Sequence, residues 1–103
     1  MKNDKYIIKF LDSFYEDIEP IIDYIVIKLK NPDGAINLVT KIDLAITKRA
    51  DFPLAFEAME SSRKRIKPYY RIYVGNYTVY YTVFKNIMEV RRILYKKRDI
   101  RSL

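Results

Sequence analysis

Three short runs rich in β-branched and aromatic residues, separated only by residue pairs, constrain this chain most. The runs are Tyr69–Val74, Tyr77–Phe84 and Ile87–Tyr95, and the links are Gly75-Asn76 and Lys85-Asn86. A two-residue link leaves no room for a crossover, so the strands must fold back on one another as an antiparallel meander. Within Tyr77–Phe84, the residues Tyr77, Val79, Tyr81 and Val83 fall on one face. Thr78, Tyr80, Thr82 and Phe84 fall on the other. Arg91 and Arg92 are adjacent on the third strand, so they point opposite ways and cannot both be buried.

The first half has a longer period. Lys5–Phe10 reads as one more strand. Ser13 and Glu16 have capping-box spacing, which predicts a helix starting near Ser13. Phe14, Ile18, Ile21, Ile22, Ile25 and Leu29 then form one apolar stripe. Pro20 lies inside it, lacks a backbone donor, and is expected to kink or split the helix. Asn31-Pro32 reads as an N-cap followed by proline at the first helical position. Ala35, Leu38, Val39, Ile42, Ala45 and Ile46 make a second stripe, and so short a link makes the two helices an antiparallel hairpin. Asp51-Phe52-Pro53 ends the second helix. Residues 54–68 read mainly as loop, with room for a helical turn over Leu54–Glu60, and carry the basic cluster Arg63-Lys64-Arg65-Ile66-Lys67. The expected fold is α+β in the order β-α-α-β-β-β. A helical hairpin packs on a small, mainly antiparallel sheet, as one domain spanning 1–103.

Composition narrows the chemistry. Half of the 103 residues are hydrophobic, enough for a real core and too many for a disordered tail. No apolar run reaches membrane-spanning length, and Met1-Lys2-Asn3-Asp4-Lys5 opens no signal peptide. There is no cysteine and no histidine. Disulfides, thiolate nucleophiles, imidazole bases and the main transition-metal ligands are therefore excluded. We expect no cofactor and no metal. The net charge of +7 is unevenly spread. Residues 1–60 hold eight basic and eleven acidic side chains; residues 61–103 hold twelve and two, along with seven of the ten tyrosines. Clustered cations interleaved with aromatics point to a polyanionic partner, nucleic acid or an acidic protein.

The run Tyr70-Arg71-Ile72-Tyr73-Val74-Gly75-Asn76-Tyr77-Thr78-Val79-Tyr80-Tyr81 and the ending Arg92-Ile93-Leu94-Tyr95-Lys96-Lys97-Arg98-Asp99 resemble the RelE/ParE superfamily of toxins from bacterial type II toxin–antitoxin systems. Phe52-Pro53 and the order of elements fit the same resemblance, which covers almost the whole chain. It implies a small basic cytoplasmic toxin kept inert by an acidic cognate antitoxin. One branch of the superfamily cleaves mRNA on the ribosome, and another inhibits DNA gyrase by protein contact. The first requires a phosphate clamp, a base and an acid.

By that resemblance Arg71, Arg98 and Tyr95 are the candidate catalytic residues. The two guanidinium groups would clamp phosphate. Tyr95 would donate a proton or stack on a base, its phenol tuned by Arg71, Lys97 and Arg98. Arg63, Lys64, Arg65, Lys67, Tyr77 and Lys97 are the candidate contacts to nucleic acid or target. The pattern also departs from the nuclease branch. Thr78 stands where an arginine usually follows the mid-strand tyrosine, and no histidine is present. Glu57 and Glu60 lie in the loop where some relatives carry a glutamate base. The leading expectation is a metal-free, ribosome-dependent mRNA endonuclease, with a gyrase inhibitor as the alternative.

Overall fold

The structure, a computed structural model, describes residues 6–59 and 67–98. The elements are β1 (Ile7–Phe10), α1 (Asp12–Asp23), a π-helical segment (Tyr24–Lys28), α2 (Pro32–Arg49), β2 (Tyr70–Val74), β3 (Tyr77–Phe84) and β4 (Ile87–Tyr95). The strands form one sheet in the order β1-β4-β3-β2. β4–β3 and β3–β2 are antiparallel, as the two-residue links require, and β1 joins β4 in parallel. The helices cover one sheet face. Phe14, Ile18, Ile42 and Ile46 meet Ile72, Val79, Tyr81, Met88, Val90 and Ile93 in a single core. Each fully buried aliphatic there contributes roughly 1.5–3 kcal/mol.

Local chemistry sets most boundaries. Asn31 Oδ1 accepts the Gly34 N–H at 3.0 Å, and Pro32 opens α2, as the sequence predicts. A Cβ on Gly34 would collide with the Asn31 amide. Gly75 takes φ 57° in the first hairpin turn, a value only glycine adopts cheaply. Residues 54–59 form a turn, bends and chain without regular structure, with no helix.

Two expectations about α1 are corrected. The helix starts at Asp12, near Ser13 as expected, but its N-cap is Leu11 and Ser13 makes no capping bond. Its hydroxyl donates instead to the Arg91 carbonyl of β4 at 2.6 Å. Pro20 stays inside α1, and the helix changes character one turn later, at Tyr24. There the ladder widens to a π pattern, with Leu29 N–H donating to Tyr24 O. Lys30 then takes a left-handed φ of 51°, and Asn31 N–H reaches back to Ile25 O at 3.0 Å. This is a Schellman-type closure, one residue wider because of the π turn.

The sheet edges are finished by side chains. β1 ends at Phe10, so beyond Val90 strand β4 has lost its neighbour. Ser13 and Asp17, one helical turn apart on α1, take over. Ser13 donates to the Arg91 carbonyl, and Asp17 Oδ2 accepts the Ile93 N–H at 3.1 Å. Asp17 also takes both arms of Arg92, at 2.6 and 3.0 Å. At the opposite edge, the main-chain groups of Tyr69 and Arg71 point away from β3. Their carbonyls are filled by Met59 N–H at 2.8 Å and Arg49 Nη1 at 2.8 Å.

β4 also carries a bulge. Tyr80 pairs with Arg92 and Tyr81 with Val90, leaving Arg91 as an extra residue. Strict alternation from Val90 would send Leu94 to the core and Tyr95 to the open face. The bulge reverses this parity. Ile93 enters the main core, and Leu94 packs on the open face with Met59 and Tyr80. Arg91 and Arg92 are both half-buried, paired with Glu89 and Asp17 respectively.

Candidate functional site

The open sheet face presents Arg71 and Tyr73 from β2 and Thr78 and Tyr80 from β3. The turn after β4 brings Lys96, Lys97 and Arg98 to the same place. It is fixed by Lys96 N–H to Asn76 O at 2.7 Å and Arg98 N–H to Tyr95 O at 2.8 Å. Together with Met59 these residues line an open hollow of about 230 Å³. Thr78 is buried on its floor, Arg71 is half-buried on its wall, and the three tail cations are exposed. Arg71 sits 5.9 Å from the ring centroid of Tyr73, which is 67% exposed.

Four cations thus converge on one concavity. Among the described residues none of them has a carboxylate within ion-pair distance. Such an arrangement is held against its own repulsion, and it focuses a positive field on an incoming anion. Arg71 and Arg98 can each offer a two-pronged donor set to phosphate or carboxylate. Among the described residues no carboxylate lines the hollow, and its polar lining consists of donors and hydroxyls. A larger hollow, about 460 Å³, opens beside Arg49, Phe52, Phe56 and Ile72, but its walls are mainly apolar and the four cations do not line it.

Not every residue singled out in the sequence lies in the basic hollow. Arg71, Lys97 and Arg98 do. Tyr95 does not: the β4 bulge turns its ring to the helix side, edge-to-face on Tyr77 at 5.9 Å between centroids. The expected trio of Arg71, Tyr95 and Arg98 is therefore split across the sheet, and Tyr77 goes with Tyr95. Arg98, at the end of the sheet, borders both hollows. Lys67 lies elsewhere, with its ammonium 5.1 Å from the Phe84 ring at the far end of β3. Arg63, Lys64, Arg65 and Glu60 lie outside the described residues, and Glu57 is exposed on the preceding turn.

The comparisons with known proteins agree with this architecture. The family described as the ParE toxin of type II toxin–antitoxin systems, parDE, matches residues 8–100. The chain belongs to the ParE toxin family. Among solved structures, a chain of the chromosomal ParDE system from P. aeruginosa superposes with a TM-score of 0.66 at 17% identity, covering 88% of this chain and 96% of that one. A chain of the RelB–RelE antitoxin–toxin complex from Methanococcus jannaschii gives a TM-score of 0.47 at 22% identity, covering 86% and 91%. No curated protein sequence matches this chain.

In this ParE-family chain the Phe52-Pro53 pair has a structural reason. Pro53 is fully buried, and its carbonyl accepts the Tyr81 hydroxyl at 2.7 Å. Arg49 Nη1 donates to that hydroxyl at 3.0 Å, and its guanidinium lies 3.5 Å from the Phe56 ring centroid. Burial pushes the Tyr81 phenol above its usual 10.0, and the hydrogen bond from Arg49 opposes the rise. This network anchors the loop that leads toward the hollow, and sequence reasoning missed it. Arg49 ends an amphipathic helix and reads like any solvated C-terminal cation. Tyr73 and Lys96 were also missed as hollow residues, although the alternation of β2 puts Tyr73 on the same face as Arg71.

Proposed function

We propose that this toxin arrests growth by contact with DNA gyrase, in the cytoplasm, and that an acidic antitoxin holds it inert. The observation that carries the reading is the incomplete chemistry of the basic hollow. It has cations for an anionic partner. Thr78, which cannot neutralise a phosphate, stands at its mid-strand position, and Tyr95 is on the opposite side of the sheet. Binding needs only the charge and shape that remain; in-line cleavage of RNA needs an acid and a base held at the phosphate as well. The ParDE architecture of the P. aeruginosa chain supports the same choice at the level of fold. The P. aeruginosa chain comes from a ParDE toxin–antitoxin system, and the matching family is described as the toxin of such a system, which supports an antitoxin here. Electrostatics favours an acidic segment of that antitoxin over these four cations, which have no carboxylate partner among the described residues.

A ribosome-dependent mRNA endonuclease is the second reading, favoured by the convergence of Arg71, Lys96, Lys97 and Arg98 on one concavity. Induction of the toxin, with parallel measurement of plasmid supercoiling and of mRNA 5′ ends, separates the two. Gyrase inhibition predicts lost supercoiling without new cuts. New cuts with intact supercoiling would overturn it. In either case Arg71→Ala combined with Arg98→Ala is expected to relieve growth arrest while the protein stays folded. Full toxicity of that double variant removes the hollow from the account.

A further inference from the structure

On the helix side of the sheet, a hollow of about 400 Å³ gathers three tyrosines from three elements. Tyr24 is the first residue of the π-helical segment, Tyr77 starts β3, and Tyr95 ends β4. Pro20 and Ile21 of α1 supply an apolar wall, and Glu16 and Asp17 an acidic one. The toxin reading makes no use of this place.

Three observations mark it. Tyr24 and Tyr95 are 55% and 43% exposed, so two large rings remain uncovered on the lining of one hollow. The helix widens to a π turn at the very residue that enters the hollow, and π turns concentrate at functional sites. The three phenols also converge: the Tyr77 hydroxyl titrates above its usual value, first through burial and then through Tyr95 and Tyr24.

The chemistry of the walls selects the ligand. Ring faces are electron-rich, and phenol oxygens accept hydrogen bonds. Asp17 is already engaged by Arg92 and the Ile93 N–H; Glu16 acts on Arg92 through charge alone and makes no ion pair among the described residues. Acceptors and π faces are in excess, which suits a cation. A planar guanidinium stacks on tyrosine and donates in several directions, where an ammonium is a compact point charge. We propose that this hollow receives the side chain of an arginine presented by a partner protein. Arg98 borders the same hollow and competes for it with its own charge.

The test is an NMR titration of the full chain with N-acetyl-arginine amide, beside the uncharged citrulline and norleucine analogues. Saturable shifts of the Tyr24, Tyr77 and Tyr95 ring protons are expected in the millimolar range, with both analogues at least about tenfold weaker. Tyr24→Ala should weaken binding about tenfold and Glu16→Gln several-fold, while Arg98→Ala should tighten it. Unchanged amide spectra confirm that the variants stay folded. No saturable shift up to about 100 mM overturns the proposal. Norleucine binding as tightly as arginine, or weaker arginine binding by the Arg98→Ala variant, overturns it too.

Discussion

Arg49 holds three groups at once. It donates to the Arg71 carbonyl and the Tyr81 hydroxyl and covers Phe56. Its two acceptors are 22 and 32 residues away in the chain, so no local pattern announces the role. Arg49→Met keeps much of the stem and removes both donors. A hydrogen bond to a charged group contributes about 1.5–3 kcal/mol, and the two here share one guanidinium, so the expected loss is about 2–3 kcal/mol. Urea unfolding measures it. Arg49→Lys should recover only part, since its shorter side chain keeps donors but loses the planar guanidinium that covers Phe56. A loss below about 0.5 kcal/mol would place this residue among ordinary surface substitutions.

At the scale of elements, α1 serves as a surrogate strand. Ser13 and Asp17 satisfy β4 where β1 has stopped. Asp17→Ala removes an ion pair and leaves the Ile93 N–H without its partner. Asp17 and Arg92 are partly solvated, so the cost expected in thermal or chemical unfolding is about 2 kcal/mol, below that of a fully buried pair. Asp17→Asn keeps an acceptor and should lose about half as much. Equal losses in the two variants would mean that the charge, not the backbone cap, is what matters.

The elements also show where the sequence was legible. β3 and β4 match their runs end to end, and β2 starts one residue late, because two-residue links and alternation leave little freedom. The α2 cap was equally plain at Asn31-Pro32. The bulge was not. Arg91-Arg92 carries no glycine and no break in pattern; the extra residue goes with α1 reaching Arg92 and Ile93 through Asp17, a contact 75 residues away in sequence. That bulge separates Tyr95 from Arg71, which the resemblance groups together, and turns Tyr95 into the tyrosine hollow. Half of the basic hollow could be read from the ending Lys97-Arg98 and from Arg71 on its strand. The rest needed the register.

The whole molecule should respond to alkali through its interior phenols. Tyr77 and Tyr81 both titrate above 10.0 in the fold, chiefly because burial disfavours the phenolate. A folded value raised above the unfolded one gives stability that is fully present below the unfolded value. It is lost as pH rises through the folded one. With respect to these two groups the melting temperature should therefore be flat near about pH 9, where their contribution is complete, and fall above about pH 10. Tyr81→Phe should lower the plateau by about 1 kcal/mol through the lost Pro53 bond, and flatten part of the alkaline fall. An unchanged alkaline slope in that variant would assign the effect to Tyr77.

The plugged rims of the sheet have a consequence for how the protein keeps to itself. Arg49 and the Met59 amide interrupt the outer side of β2, and α1 seals the end of β4. Among the described strands, the longest stretch where a foreign strand can zip on is the outer side of β1. It is four residues long, or roughly 13 Å. So short a slot is a poor seed for fibrils or for stacking of identical copies. A chain made in excess of its binding partner thus offers its own copies little open strand edge among the described residues to pair with.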